Sequence, residues 1–168
     1  MNILFLDMDG VCNCLNYLKW YKAKFHRKYP QTSEFVVPHL AERVTTICTQ
    51  CDCNIVWSSS WRELYTMEQA KQLFNRKGLP GDRLVGFTPS LNTYPTNGNY
   101  VPRGREIRFF IFNNILDQPI TKAAVLDDDH DAGLELPPCC KFFQTDYENG
   151  LTEKLMHKVI EYFNTPVN

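Results

Sequence analysis

The chain has 168 residues, of which 43% are hydrophobic and 22% are charged, a composition that is ordinary for one soluble globular domain. Its net charge of -1 gives no overall field that would point to a nucleic acid or a membrane surface, and its apolar runs are too short to span a bilayer. Seven cysteines, an odd number, and an N-terminus without the basic start of a signal peptide lead us to expect reduced thiols and a cytoplasmic location.

The run at residues 2–11 is a predicted strand that ends in two carboxylates. Four apolar residues precede Asp7 and Asp9, and Gly10 follows them. Because side chains alternate along a strand, Asp7 and Asp9 can point toward one spot at its end. Two such carboxylates repel each other and lose water, which is tolerable when a cation lies between them or when one of them does chemistry. A turn with two solvated aspartates is the alternative.

Residues 12–37 form a long segment before the next regular pattern. Its middle part, residues 19–29, contains five basic and four aromatic residues but no acidic one. Basic residues interleaved with aromatic ones suit a phosphate-rich ligand whose bases can stack. An amphipathic helix that packs its aromatic side chains inward is an alternative, and the two interpretations are compatible.

The rest of the chain alternates predicted helices and strands. We expect helices at 35–50, 67–77, 103–113 and 152–163, and strands at 54–57, 84–88, 123–126 and 141–145. The segment at about 88–102, rich in Asn, Thr, Pro and Gly, is predicted to be an exposed, mobile loop. This alternation predicts one domain over 1–168, a Rossmann-like three-layer α/β/α fold with a central parallel sheet.

Polar residues follow three of the predicted strands, where ligands gather in such sheets. After Asp7 and Asp9 come three serines at 58–60 and four acids within 127–131. Arg103 and Arg105 open a helix, where the helix dipole disfavours a cation. A bound anion would explain them, although surface solvation is an alternative. Acids with a metal, a hydroxyl and an arginine would hold a phosphoryl group, which an aspartate can attack.

The motifs at these positions resemble those of a known family. Residues 5–11 resemble the first motif of the haloacid dehalogenase (HAD) superfamily of phosphatases and phosphotransferases. Together, residues 57–62, 103–107, 127–131 and 144–152 are similar to the small HAD domain associated with RNA-repair (Swiss Army Knife) proteins. The resemblance spans nearly the whole chain, with only a small cap formed by about 12–37.

This resemblance implies roles for the acids. Asp7 would be the nucleophile and a ligand of Mg²⁺. Asp9 would be the general acid and base, with its backbone carbonyl also contacting Mg²⁺. Asp127 and Asp128 would complete the metal site, directly or through water.

It also implies a set of residues that bind the substrate. Ser58 would bind the phosphoryl oxygens, with Ser59 as the second choice, and Gly10 belongs to the same set. The third motif of the family is usually a lysine, whereas this chain offers arginine, with Arg103 as the first choice and Arg105 as the next. Arginine and lysine are not interchangeable at a phosphate, so this position departs from the family pattern.

The function that follows is a Mg²⁺-dependent phosphatase that works through an aspartyl-phosphate intermediate. Its substrate would be a nucleotide, a nucleic-acid end or a phosphorylated small molecule, and no membrane partner is expected. The alternative is a catalytically silent module that binds phosphorylated ligands or a protein partner.

Overall fold

The computed structural model describes residues 1–25, 35–92, 100–113 and 118–166. Parts of two predicted segments therefore lie outside the described residues, namely 26–34 of the basic and aromatic segment and 93–99 of the loop at 88–102. None of the helices in the described ranges is long and apolar enough to cross a membrane. All seven cysteines lie within the described ranges and have free thiols there.

Five strands form one parallel sheet in the order β3-β2-β1-β4-β5. The strands are β1 (Asn2–Leu6), β2 (Cys53–Trp57), β3 (Leu84–Phe87), β4 (Lys122–Asp127) and β5 (Cys140–Gln144). The apolar strand β1 lies at the centre, and the direction of the strand order changes there. The carboxyl end of β1 is therefore the place where a sheet of this kind binds its ligand.

Within the described ranges, five α-helices connect and cover the strands. They are α1 (Leu15–Phe25), α2 (Pro38–Cys51), α3 (Met67–Arg76), α4 (Arg103–Phe112) and α5 (Glu153–Asn164). Short 3-10 helices occupy Ser60–Leu64, Gly81–Arg83 and His130–Gly133. The helices and strands predicted from periodicity all form, with ends that differ by at most a few residues.

Alternating strand residues divide the core between the two faces of the sheet. Leu4 and Leu6 pack in the cluster that contains the buried side chains of α2, α3 and α5. Ile3 and Phe5 pack on the other face with α4, where the rings of Phe5 and Phe110 lie 5.7 Å apart. This arrangement confirms the three-layer α/β/α fold.

Helix α1 forms most of the described part of the basic and aromatic segment. The described part is helical, yet Leu18 is its one buried residue among those described. Trp20 and Phe25 are each 46% exposed. The aromatic residues of α1 therefore do not all pack inward, as a helix that merely covers the core would require.

Candidate active site

The register of the sheet brings three chain segments to one point. Leu6 pairs with Trp57 of β2 and with Leu126 of β4, so the residues that follow are level with one another. The backbone N–H of Asp7 donates to the carbonyl of Leu126, and the N–H of Ser58 donates to the carbonyl of Leu6. Asp7, Ser58 and the end of β4 therefore meet at the carboxyl edge of the sheet.

Three carboxylates converge at this edge. Oxygen atoms of Asp7, Asp127 and Asp128 lie within 4.8 Å of one another. Asp7 and Asp127 are buried, and Asp128 is half-buried. Hard divalent cations such as Mg²⁺ prefer a small number of carboxylate oxygens, so this donor set fits the ion that the sequence predicts. The side chain of Asp9 does not belong to this group.

The electrostatics of the group are unfavourable without a cation. Burial raises the pKa of Asp7 to about 6, although the charge of Arg103 and a hydrogen bond from Ser59 oppose the rise. Burial and the neighbouring charge of Asp7 raise the pKa of Asp127 to about 8. The pKa of Asp128 is also raised, chiefly by burial. A divalent cation would favour the ionised forms of all three.

Gly10 allows the turn after β1 to approach these acids. Its φ is +65°, in the left-handed region, and a Cβ there would lie 2.4 Å from the carboxyl carbon of Asp128. Its backbone N–H donates to the Oδ1 atom of Asn13 at 3.1 Å. The N–H of Gly10 is thus already bonded within the chain, and the absence of a side chain leaves room for Asp128; a substrate-binding role for Gly10 stays a prediction.

Asp9 faces a separate pair of donors. The amide of Asn13 donates to its Oδ1 atom at 2.8 Å, and the indole N–H of Trp61 donates to its Oδ2 atom at 2.8 Å. Asn13 and Trp61 are both buried. Asp9 is thereby held in a fixed orientation beside the three carboxylates of Asp7, Asp127 and Asp128 rather than among them.

The serine turn after β2 presents Ser59 to Asp7. The hydroxyl of Ser59 hydrogen-bonds to Asp7, whereas the hydroxyl of Ser58 is buried with no partner among the described residues. The carbonyl of Ser58 accepts from Arg103. In the structure Ser59 is thus the serine that contacts Asp7, and which of the two hydroxyls binds a phosphoryl oxygen stays a prediction.

Of the two candidate arginines, Arg103 is the one beside Asp7. Its guanidinium donates to the carbonyl of Ser58, and its charge acts on Asp7. Arg105 is exposed and forms two hydrogen bonds with Glu135, at 2.9 and 2.6 Å. A helix turns about 100° per residue, so positions two apart point to different sides. Arg105 therefore points away from Asp7, and of the two predicted arginines the structure brings only Arg103 to the acids.

Sequence reasoning missed a buried ion pair that supports the serine turn. The guanidinium of Arg62 donates to the carbonyls of Ser58 and Ser59, at 3.1 and 2.7 Å, and to the carboxylate of Glu106 at 2.9 Å. Further bonds reach the carbonyls of Thr88 and Pro89. Both charged side chains are 4% exposed. Removing one partner of a buried pair typically costs about 3–5 kcal/mol.

A signal for this pair was present in the sequence. Arg62 and Glu106 lie within the motifs at 57–62 and 103–107, and a buried arginine needs acceptors for all of its N–H groups. Nothing in the spacing, however, shows that residues 44 positions apart meet. Glu106 also lies 3.6 Å from Arg103, so the pair links the serine turn to the arginine at the site.

A parallel sheet whose central strand delivers Asp-x-Asp-Gly, with a serine turn and paired acids on the neighbouring strands, is the arrangement of a HAD domain. A family model described as the HAD domain in Swiss Army Knife RNA repair proteins matches residues 3–156, and the chain belongs to this family. The resemblance predicted from the motifs is thereby confirmed. Comparisons with curated proteins and with solved structures gave no match.

Proposed function

We propose that this protein is a Mg²⁺-dependent phosphatase of the HAD type, which hydrolyses a phosphomonoester through an aspartyl-phosphate intermediate on Asp7. One observation carries the proposal: the carboxylate of Asp7 shares a single point with two further acids and also faces a hydroxyl and a guanidinium. An acceptor-rich cluster alone would bind a cation. The added donors of Ser59 and Arg103 suit the anionic oxygens of a phosphoryl group.

Asp7, Asp127 and Asp128 would hold the Mg²⁺ ion. When bound, the ion would supply positive charge that neutralises these acids and the oxygens of the phosphoryl group. Arg103 would bind the same oxygens through its remaining N–H groups. Ser59 is our first choice for the hydroxyl that contacts them, and Ser58 is the second.

The chemical steps are assigned to the two acids of the first motif. A carboxylate oxygen of Asp7 attacks phosphorus, and the bond from phosphorus to the leaving oxygen breaks. Asp9 gives its proton to that oxygen, and the alcohol departs. Asp9, now a carboxylate, takes a proton from a water molecule that attacks the aspartyl phosphate. Inorganic phosphate leaves, and Asp7 returns as a carboxylate.

A nucleotide or a nucleic-acid end is the substrate class that we favour. The matched family is described by its occurrence in RNA repair proteins. Helix α1, which follows the first motif, has no acidic residue and exposes Trp20 and Phe25. The ammonium group of Lys24 lies 4.7 Å from the ring centre of Trp20. Exposed rings beside cations are suited to stacked bases and their phosphates.

The proposal is tested by phosphate release from nucleotides, phosphorylated oligonucleotides and sugar phosphates. We expect release with Mg²⁺, none after treatment with EDTA, and inhibition by Ca²⁺, which favours more ligands and a looser geometry. Asp7→Asn should abolish release, because the nucleophile has no substitute. A protein that bound these ligands but released no phosphate would instead be a silent module. Full activity in EDTA or in Asp7→Asn would contradict the mechanism.

A further inference from the structure

A cavity of about 190 Å³ lies next to the proposed phosphoryl site and has no role in the steps above. Its walls come from the 3-10 helix after β2, the segment after β3 and the start of α4. Its lining includes Ser60, Glu63, Ser90, Asn92, Tyr100 and Arg103. Arg103 borders both this cavity and Asp7. A substrate whose phosphoryl group contacts Arg103 would therefore extend its attached group into the cavity.

Tyr100 provides the cavity with an exposed aromatic ring that is held in place. The residue is 64% exposed, yet its hydroxyl donates to the carboxylate of Asp131, which is 7% exposed. This hydrogen bond raises the pKa of Tyr100 to about 12, so the hydroxyl is protonated and can donate at neutral pH. The same carboxylate accepts from the backbone N–H of Arg103 at 3.1 Å. Asp131 thus fixes the ring relative to the arginine.

A second contact fixes the wall that carries Tyr100. The side chain of Asn92 accepts from the N–H of Val101 and donates to its carbonyl, both at 2.8 Å. This pair of bonds joins the segment after β3 to the residue next to Tyr100. The ring therefore presents its face without first having to be ordered, which lowers the entropic cost of binding.

The charges around the cavity nearly cancel. Arg62 pairs with Glu106 at 2.9 Å, and Arg103 lies 3.6 Å from the same carboxylate. The carboxylate of Glu63 accepts from Ser90 at 2.7 Å. Two arginines and two glutamates give no surplus positive charge for a second phosphate. A neutral, polar group fits this environment better.

The volume limits the size of that group. Pockets that enclose a whole drug-sized ligand measure about 300–1,000 Å³, so this cavity accepts only part of a ligand, about one ring system. We propose that the cavity binds the nucleobase of the terminal nucleotide, stacked on Tyr100, while the phosphoryl group occupies the site at Asp7. This inference rests on the proposed function. It identifies the base of the departing nucleoside as the group that the protein recognises.

The test compares two substrates that differ only in the base. For the wild-type protein with Mg²⁺, kcat/KM is measured for adenosine monophosphate and for the corresponding ribose phosphate without a base. Stacking of one base is worth about 1–3 kcal/mol, so we expect the nucleotide to be preferred by about 5- to 150-fold. Tyr100→Ala should remove most of this preference, because kcat/KM should fall much more for adenosine monophosphate than for the ribose phosphate. Tyr100→Phe should retain most of it, because the ring remains.

Tyr147→Ala is the matched control, since Tyr147 is another exposed tyrosine, at 47%, and does not line the cavity. It should leave the preference intact. Equal kcat/KM for the two substrates, or a preference that survives Tyr100→Ala, would overturn the nucleobase assignment while leaving the phosphatase in place. Equal losses on both substrates in Tyr100→Ala would show that the ring does not act through the base, and would also overturn the assignment. No release from either substrate by the wild-type protein would instead be a failure of the proposed function.

Discussion

Asp7 and Asp9 are two residues apart, yet their side chains have different surroundings. Asp7 lies among acids, a hydroxyl and a guanidinium. Asp9 accepts from two neutral donors, the amide of Asn13 and the indole of Trp61. This difference supports the division of labour that we propose, in which one carboxylate attacks and the other transfers protons.

The first prediction concerns the donor that orients Asp9. Trp61→Phe keeps an aromatic ring and removes the N–H bonded to Asp9. A general acid typically raises the reaction rate about 10²–10⁴-fold, and its contribution is largest when the leaving group is poor. We therefore expect the rate for an alkyl phosphate to fall about tenfold or more. The rate for an aryl phosphate, which has a good leaving group, should fall much less.

Trp57→Phe is the control for this experiment, because the indole N–H of Trp57 has no hydrogen-bond partner among the described residues. Trp57 is fully buried, so this variant should lower the melting temperature but leave the ratio of the two rates unchanged. An equal loss on both substrates in Trp61→Phe would assign Trp61 a purely structural role.

The second prediction separates the two arginines at the start of α4. Arg103→Lys shortens the reach of the side chain and removes the forked arrangement of the guanidinium N–H groups. A hydrogen bond to a charged group is worth about 1.5–3 kcal/mol. We expect kcat/KM to fall by about 10- to 150-fold. Arg105→Lys should change it little, because its exposed pair with Glu135 is worth at most about 1 kcal/mol. Steady-state kinetics on one substrate compare the two, and a larger loss from Arg105→Lys would refute our choice of Arg103.

The helices and strands could be predicted from the sequence more fully than the contacts of individual residues. Apolar runs and helical spacing predicted the strands and helices, because burial of one face imposes a period on each element. The turns beyond the strand ends were less predictable. The order of Ser58 and Ser59 and the position of Asp9 depend on backbone conformations after β2 and β1, where no period applies. The contact between Arg62 and Glu106 depends on tertiary packing, which a single sequence does not reveal.

Helix α1 is the element to which we assign binding of a longer nucleic acid. Lys19→Glu with Lys24→Glu should raise KM for a phosphorylated oligonucleotide much more than KM for a small aryl phosphate. Each lost contact with a single-stranded phosphate backbone reduces the slope of log affinity against log salt by about 0.7. Kinetics at two or more salt concentrations measure both effects.

The control places the same change of charge on another helix. Lys71→Glu with Arg76→Glu alters α3, which lies on a different part of the surface. We expect this variant to affect the oligonucleotide less than the α1 variant does. Equal effects of the α1 variant on both substrates, or the absence of any salt dependence, would leave a small phosphorylated metabolite as the better substrate class.

At the scale of the whole molecule, the acids of the site should make stability depend on pH and metal. The pKa of Asp7 is about 6 and that of Asp127 about 8, above their ordinary value of 3.8, chiefly because of burial. Between pH 3.8 and the raised pKa of each group, the folded protein binds more protons than the unfolded chain does. The stabilisation from these groups is therefore complete below about pH 3.8 and is lost as the pH rises to about 8.

We accordingly expect the metal-free protein to melt at a lower temperature at pH 8 than Asp127→Asn does, with a smaller difference at pH 5. About 1 kcal/mol shifts the melting temperature of a domain of this size by about 2–4 °C, so the effect is measurable by calorimetry. Mg²⁺ should raise the melting temperature of the wild-type protein more than that of Asp127→Asn. Asp82→Asn, on the surface, is the control. If Asp127→Asn raised the melting temperature by the same amount at pH 5 and at pH 8, the raised pKa of Asp127 could not be the cause.

The covalent intermediate on Asp7 tests the proposed mechanism most directly, because an aspartyl phosphate can be trapped. In Asp9→Asn, an aryl phosphate needs no acid to leave, whereas the base for hydrolysis is missing, so the aspartyl phosphate should accumulate. Borohydride reduces an aspartyl phosphate to homoserine, which mass spectrometry locates in the digested chain. We predict homoserine in place of Asp7, dependent on both substrate and Mg²⁺. Release of the aryl alcohol with Asp7 unmodified, or modification of Asp127 instead, would contradict the mechanism.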